Sequence, residues 1–97
     1  MTKAEIYQLF VPGNKLLYKS YNHYDDTFIE IAYRVVSTRH ENKEHKIELE
    51  MLILKTNIPG ADLMNKPGHT RWFFIEDLVQ LTHEWSLLPD NYELIYV

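Results

Sequence analysis

The chain has 97 residues, 45% of them hydrophobic and none cysteine, so it can bury one apolar core but cannot form a disulfide framework or a cysteine-bound metal site. Its net charge of −4 comes from residues 41–97, where ten acidic side chains occur with five basic ones, and this makes nucleic acid an unlikely partner. The sequence shows no signal-peptide pattern and no membrane-spanning run. We therefore expect a single domain over residues 1–97, located in the cytoplasm.

The first predicted element is a short helix over residues 3–10. Thr2 and Glu5 have the three-residue spacing of a capping box, and Pro12 stops the segment. Between them one apolar stripe recurs at helical spacing: Ile6, Leu9 and Phe10. A helix this short needs a packing partner, so we expect it to cover one face of a sheet.

Three strands are predicted next, over residues 15–21, 27–39 and 45–55. The turn-forming segment 22–26 separates the first two, and the polar segment 40–44 is typical of a hairpin connection. In the two longer strands apolar residues occupy alternate positions: Ile29, Ile31, Tyr33 and Val35, then Ile47, Leu49, Met51 and Ile53. Both strands therefore present one apolar face.

Side chains predict the register of this hairpin. The preferred register places Arg34 opposite Glu50, whereas a slip of two residues would place Arg34 opposite Leu52. The apolar pairs that go with it are Val35 with Leu49, Tyr33 with Met51, and Ile31 with Ile53. Ala32 and Leu52 on the outer face predict that this face is also partly covered.

The C-terminal part is less regular. Residues 56–69 contain two Pro-Gly pairs and predict a long loop, either functional or a simple crossover. Residues 71–75 predict a strand. Residues 76–87 fit a helical period over more positions than a strand period and precede Pro89, so a helix is favoured, with a strand as the alternative. Residues 92–97 predict a terminal strand.

These elements predict an α+β fold: an antiparallel sheet of about five strands, a short N-terminal helix and a helix near residues 76–87. If that second helix is instead a strand after a tight turn, the chain becomes mostly β. The run from His69 to Trp85 then resembles the strand, turn and closing strand of SH3-like small barrels. The resemblance is architectural and implies no activity.

The sequence contains no familiar catalytic arrangement. None of the histidine spacings fits a metal-ligand pair on one element, and no serine lies in a nucleophile-elbow context. His23, Asp25 and Asp26 share a turn, where adjacent side chains usually point apart. We expect no enzymatic activity, no metal and no cofactor.

Our leading hypothesis is a small non-catalytic binding protein that acts through a protein–protein surface. The seven tyrosines are too many for one small core, and exposed tyrosine is typical of interfaces. The surface is expected in the region from Tyr18 to Tyr24 or in the loop from Ile58 to His69. The candidate residues are Tyr21 and Tyr24 in the first region and Asp62, Leu63 and Met64 in the second. An inhibitor, immunity or mobile-element accessory protein would fit, against a basic or nucleic-acid-handling partner, and a homodimer would fit equally.

The alternative is an anionic-ligand binder or minor enzyme, with a pocket between the sheet and the 56–69 loop. His69 and Arg71 would contact the anionic group, with Trp72 beside them. A concave pocket lined by His69, Arg71 and Trp72 would favour the ligand. A flat exposed patch of tyrosine and leucine would favour a protein partner.

Overall fold

A five-stranded antiparallel sheet organises the computed structural model, which describes residues 2–61, 66–80 and 84–92. The elements are α1 (Lys3–Leu9), β1 (Lys15–Asn22), β2 (Thr27–Glu41), β3 (Glu44–Thr56), β4 (Thr70–Phe74), α2 (Ile75–Val79) and β5 (Trp85–Leu87). The strand order is β4-β3-β2-β1-β5, and β4 and β5 lie at opposite ends without pairing, so the sheet is open. The predicted α+β class is confirmed. The SH3-like barrel alternative was wrong, because the sheet does not close. Its predicted order of strand, turn and closing strand is present along the chain, with the short helix α2 in place of the turn between β4 and β5.

Helix α1 begins at the predicted capping box. The Glu5 N–H donates to the Thr2 hydroxyl at 3.2 Å, and the Thr2 N–H donates to the Glu5 carboxylate at 3.3 Å. Ile6 and Phe10 are buried against the sheet. The prediction of residues 3–10 is therefore confirmed to within one residue.

The centre of the β2–β3 hairpin has the predicted register. Its pairs are Tyr33 with Met51, Arg34 with Glu50, and Val35 with Leu49. Arg34 donates from Nε at 2.9 Å, and its Nη2 lies 2.8 Å from the same carboxylate oxygen of Glu50. This ion pair joins the two strands on one face.

The register changes by one residue on each side of that centre. Leu52 and Val36 have no partner across the hairpin, and the pairing is irregular at both positions, as in β-bulges. Ile31 consequently lies opposite Leu54 and not Ile53, so that part of the register prediction was wrong. Bulges increase the local twist, and strands as long as β2 and β3 need this to curve around a core.

Apolar residues cover both faces of the sheet, unequally. On the first, which we call the helix face, α1, α2 and Trp85 pack over the larger core. Its fully buried members are Ile6, Leu16, Val35, Ile47, Leu49 and Ile75. On the other, the outer face, Leu17, Ala32 and Tyr92 form a smaller cluster with Leu52 beside them. The predicted partial cover of the outer face is therefore confirmed.

The second helix is present but shorter than predicted. Helix α2 ends at Val79, and residues 85–87 form β5, which pairs Trp85 with Tyr18 and Leu87 with Leu16; residues 81–83 lie outside the described residues. The prediction of helix up to residue 87 was wrong at residues 85–87. Pairing with β1 decides the outcome, because it satisfies backbone groups on that edge and buries Trp85.

The remaining connections follow the prediction closely. Strand β4 lies one residue earlier than predicted, and residues 57–69 connect it to β3, with 62–65 outside the described residues. The predicted terminal strand falls mostly on residues 93–97, also outside them. Tyr92 itself is helical, and its N–H donates to the Pro89 carbonyl at 3.1 Å. Within the described ranges, no helix has the length and apolar character to cross a membrane.

Candidate functional site

A cavity of about 370 Å³ opens on the helix face where β2, β3 and β4 meet the end of the 57–69 connection. Its floor and walls are apolar or aromatic: Tyr33, Leu49, Met51 and Phe73. Its rim is formed by Lys66, Gly68, His69, Thr70 and Arg71. We call this cavity the basic pocket. Its volume is in the range of small-molecule sites, which commonly combine apolar walls with a few polar groups.

The turn at Gly68 brings the rim to the sheet. Gly68 has φ +93°, a conformation that favours glycine, and its N–H donates to the Met51 carbonyl at 2.7 Å. The Met51 N–H in turn donates to the His69 carbonyl at 3.0 Å. Arg71 then lies directly opposite Leu49 in the β3–β4 pairing. These bonds position His69 and Arg71 on the pocket side.

The described rim residues carry positive charge and include no carboxylate. Lys66, His69 and Arg71 are exposed there, and no aspartate or glutamate occurs among the described lining residues. The chain as a whole has a net charge of −4. The Arg71 guanidinium lies 5.5 Å from the centre of the Phe73 ring, so a cation–π contact holds it beside the aromatic wall. The local potential therefore favours an anion.

Tyr33 supplies a neutral hydroxyl to the floor. Burial raises the pKa of Tyr33 to about 12, the neighbouring Tyr18 adds to this, and the Arg71 charge opposes it. The phenol is therefore protonated at neutral pH and can donate a hydrogen bond. A smaller cavity of about 190 Å³ is also lined by Tyr33, Leu49 and Phe73. The apolar floor of the basic pocket therefore continues into this second cavity on the helix face.

The structure brings together only some of the sequence-predicted site residues. His69 and Arg71 line the basic pocket. Trp72 does not, because successive strand residues point to opposite faces; it lies on the outer face with the Arg39 guanidinium 4.9 Å from its ring centre. Asp62, Leu63 and Met64 lie outside the described residues.

The two predicted tyrosines lie elsewhere, at the β1–β2 turn. Tyr24 is fully exposed. Tyr21 is half exposed on the outer face, where its hydroxyl donates to Asp26 at 2.5 Å and its ring packs against His23. The predicted protein–protein surface at this turn stays a prediction.

Sequence reasoning missed several pocket residues. Alternation placed Tyr33, Leu49 and Met51 on one apolar face, but it could not show that part of this face stays uncovered. Lys66 had a usable signal, because it directly precedes the Pro67-Gly68 pair that turns the chain toward the sheet.

A second cavity, of about 640 Å³, lies on the outer face between β3 and residues 87–92. Lys15 and Asp90 both line it, so it lacks a single sign of charge. Its other polar side chains are uncharged. We therefore regard the basic pocket as the better candidate site.

A histidine pair joins the hairpin to α1. The His40 and His45 rings stack with centres 3.9 Å apart, and Nδ1 of His45 is hydrogen-bonded to the Tyr7 hydroxyl. Burial lowers the pKa of His45 and so does His40, whereas Glu76 opposes the shift. No cluster of three or more metal-ligating side chains occurs in the described ranges.

Comparison of the chain with protein families, curated proteins and solved structures found no match. The function is therefore inferred from the geometry of the site.

Proposed function

We propose that the protein binds a small organic anion in the basic pocket, through a carboxylate or phosphate group attached to an apolar body. The observation that carries this proposal is the set of three basic side chains around an apolar cavity in a net acidic chain. The proposal develops the alternative predicted from His69 and Arg71. We expect the protein to act in the cytoplasm.

Each part of the pocket has a role in this binding mode. The planar guanidinium of Arg71 suits two-point binding of a carboxylate or phosphate, and Lys66 adds a second charge. The Tyr33 hydroxyl can donate a further hydrogen bond from the floor. The apolar body of the ligand would contact Leu49 and Phe73, where burial of apolar surface contributes most of the affinity.

The residues of the basic pocket favour ligand binding over catalysis. General acid–base or nucleophilic chemistry by His69 would need a partner group that orients the ring. Among the described lining residues there is no carboxylate or thiol to do so.

Heteronuclear NMR titration with matched probes tests the proposal. Benzoate and phenyl phosphate should shift the resonances of pocket residues, and benzyl alcohol, which has the ring without the charge, should bind more weakly. Arg71→Gln should weaken binding of the anionic probe roughly 10- to 100-fold, the loss of one charged hydrogen bond.

Arg39→Gln is the matched control, because it removes the same charge from the outer face. Its affinity should equal that of the wild type. Equal binding of the neutral probe, or equal losses in the two arginine variants, would refute the proposal.

The exposed Tyr24 favours a second candidate function, the binding of a protein partner at the β1–β2 turn. An inhibitor, immunity or accessory protein of this kind would recognise its partner through Tyr21 and Tyr24. Pull-down from the native host tests it, with Tyr24→Ala as bait beside the wild type. A partner that the variant retains equally well would argue against this surface.

A further inference from the structure

Strand β4 has an outer edge that no described strand pairs with. It is the terminal strand of the sheet, and none of the described residues pairs with its outer side. The Met51 N–H donates to the His69 carbonyl, so the alternation of an antiparallel ladder turns the backbone of Arg71 and Phe73 toward β3. The N–H and C=O groups of Thr70, Trp72 and Phe74 therefore point outward.

Of the features that usually prevent strand pairing, β4 has a short length of five residues and one charged side chain, Arg71. Proteins protect free edges with charges, prolines or bulges, and none of these occurs at the three outward residues. Trp72 and Phe74 are 42% and 45% exposed and lie on the same face. An added strand could form main-chain hydrogen bonds with this edge and contact these two aromatic side chains.

We propose that β4 pairs antiparallel with β4 of a second copy of this chain, around a two-fold axis at Trp72. In that register Trp72 lies opposite Trp72 of the second copy, and Thr70 lies opposite Phe74. Each outward residue then exchanges both backbone hydrogen bonds with the residue opposite it. The two sheets become one continuous sheet, with the indole rings in contact across the axis.

The charges at this edge are compatible with a second copy. Arg71 would lie opposite Phe73 of the other chain, so the two arginines do not face each other. On the outer face, Arg39 lies 3.6 Å from Glu41 and Lys46 lies 4.0 Å from Glu44, so these cations already have carboxylate partners. The pairing uses the outer edge of β4 in each of the two copies. No such edge is left for a third copy, so the assembly closes as a dimer with two-fold symmetry.

A strand of five residues makes a small interface, so the dimer is expected to dissociate on dilution. Light scattering coupled to size-exclusion chromatography should give twice the chain mass of 11.6 kDa at high concentration and the chain mass at low concentration. A monomer at every concentration up to about 1 mM, the weak limit of specific association, would overturn the proposal.

Cysteine cross-linking tests the register, because the natural chain contains no cysteine. Trp72→Cys should form a disulfide-linked dimer under mild oxidation, since directly opposite residues lie about 5.5 Å apart between Cα atoms. Thr70→Cys should not link to itself, but it should link to Phe74→Cys when the two variants are mixed. Equal self-linking by the residue 70 and residue 72 variants would contradict the register.

A backbone substitution tests the mode of pairing. Thr70→Pro removes an outward N–H that β3 does not use, and proline is tolerated at such edge positions. It should weaken the dimer while the far-UV circular dichroism stays that of the wild type. Thr70→Val is the matched control and should dimerise normally. An unchanged dimer in the proline variant would refute strand pairing at this edge.

Discussion

Trp85 contacts elements that are distant in sequence, and its substitution measures how much these contacts stabilise the core. The side chain is 5% exposed, and its ring centre lies 5.2 Å from that of Phe10 and 5.1 Å from that of Tyr18. Its Nε1–H donates to the Leu78 carbonyl at 3.1 Å, near the end of α2. Trp85→Phe keeps an aromatic ring but removes this bond and part of the packed volume.

The expected loss can be worked out from these contacts. The Leu78 carbonyl also accepts from the Gln80 N–H, so loss of the indole donor costs about 0.5–1.5 kcal/mol, the net value of one hydrogen bond. Deleting part of a buried ring leaves a cavity that costs about 1–2 kcal/mol more, less than the 3–5 of full truncation to alanine. We expect a fall of at least about 1.5 kcal/mol in the free energy of unfolding. The Tm should fall by at least about 6 °C.

Urea unfolding followed by far-UV circular dichroism measures this loss at a protein concentration low enough to avoid association. Trp72→Phe is the matched control, since the same substitution at the exposed tryptophan should change stability by less than about 0.5 kcal/mol. A Trp85→Phe loss below about 1 kcal/mol, or equal losses in both variants, would show that the Leu78 bond and the packing around Trp85 are misassigned.

Three further predictions concern other parts of the fold. The pKa of His45 is lowered in the folded state, so the contribution of neutral His45 to stability is complete above the ordinary pKa of 6.5 and is lost as the pH falls below it. The urea midpoint of His45→Gln should therefore depend less on pH below 6.5 than that of the wild type. Equal pH slopes in the two proteins would contradict this. Gly68→Ala and Gly13→Ala should each cost about 1–3 kcal/mol, because both glycines have a positive φ and open space at the Cβ position. Only the Gly68 variant should also weaken anion binding, and a similar effect at Gly13 would refute the role of the Gly68 turn. A double-mutant cycle on Arg34 and Glu50 should give a coupling of about 0.5–1 kcal/mol, and zero coupling would show that the ion pair is not maintained in solution.

Local patterns predicted much of the fold because they depend on neighbours in the chain. The capping box of Thr2 and Glu5 needs only one turn of helix. The hairpin centre follows from alternation and from one pair of opposite charges, Arg34 and Glu50. A capping box and a cross-strand ion pair have nearly the same geometry in every fold that contains them, so they can be recognised from the sequence.

Prediction from the sequence failed where a segment fitted two secondary structures about equally well. The segment that contains Trp85 fits a helix and a strand by periodicity, and only pairing with β1 selects the strand. The bulges at Val36 and Leu52 depend on the curvature of the whole sheet and leave no mark in the alternation of apolar residues.

For the candidate site, the sequence by itself determined the residue types: the imidazole of His69 and the permanently charged guanidinium of Arg71, directly after a glycine turn. Only the tertiary structure decided their setting. It placed Arg71 on the pocket side and Trp72 on the other face, and it added Lys66 and Tyr33 to the same cavity. The physical reason is that a pocket is a gap between elements, and its shape depends on contacts between residues far apart in the chain.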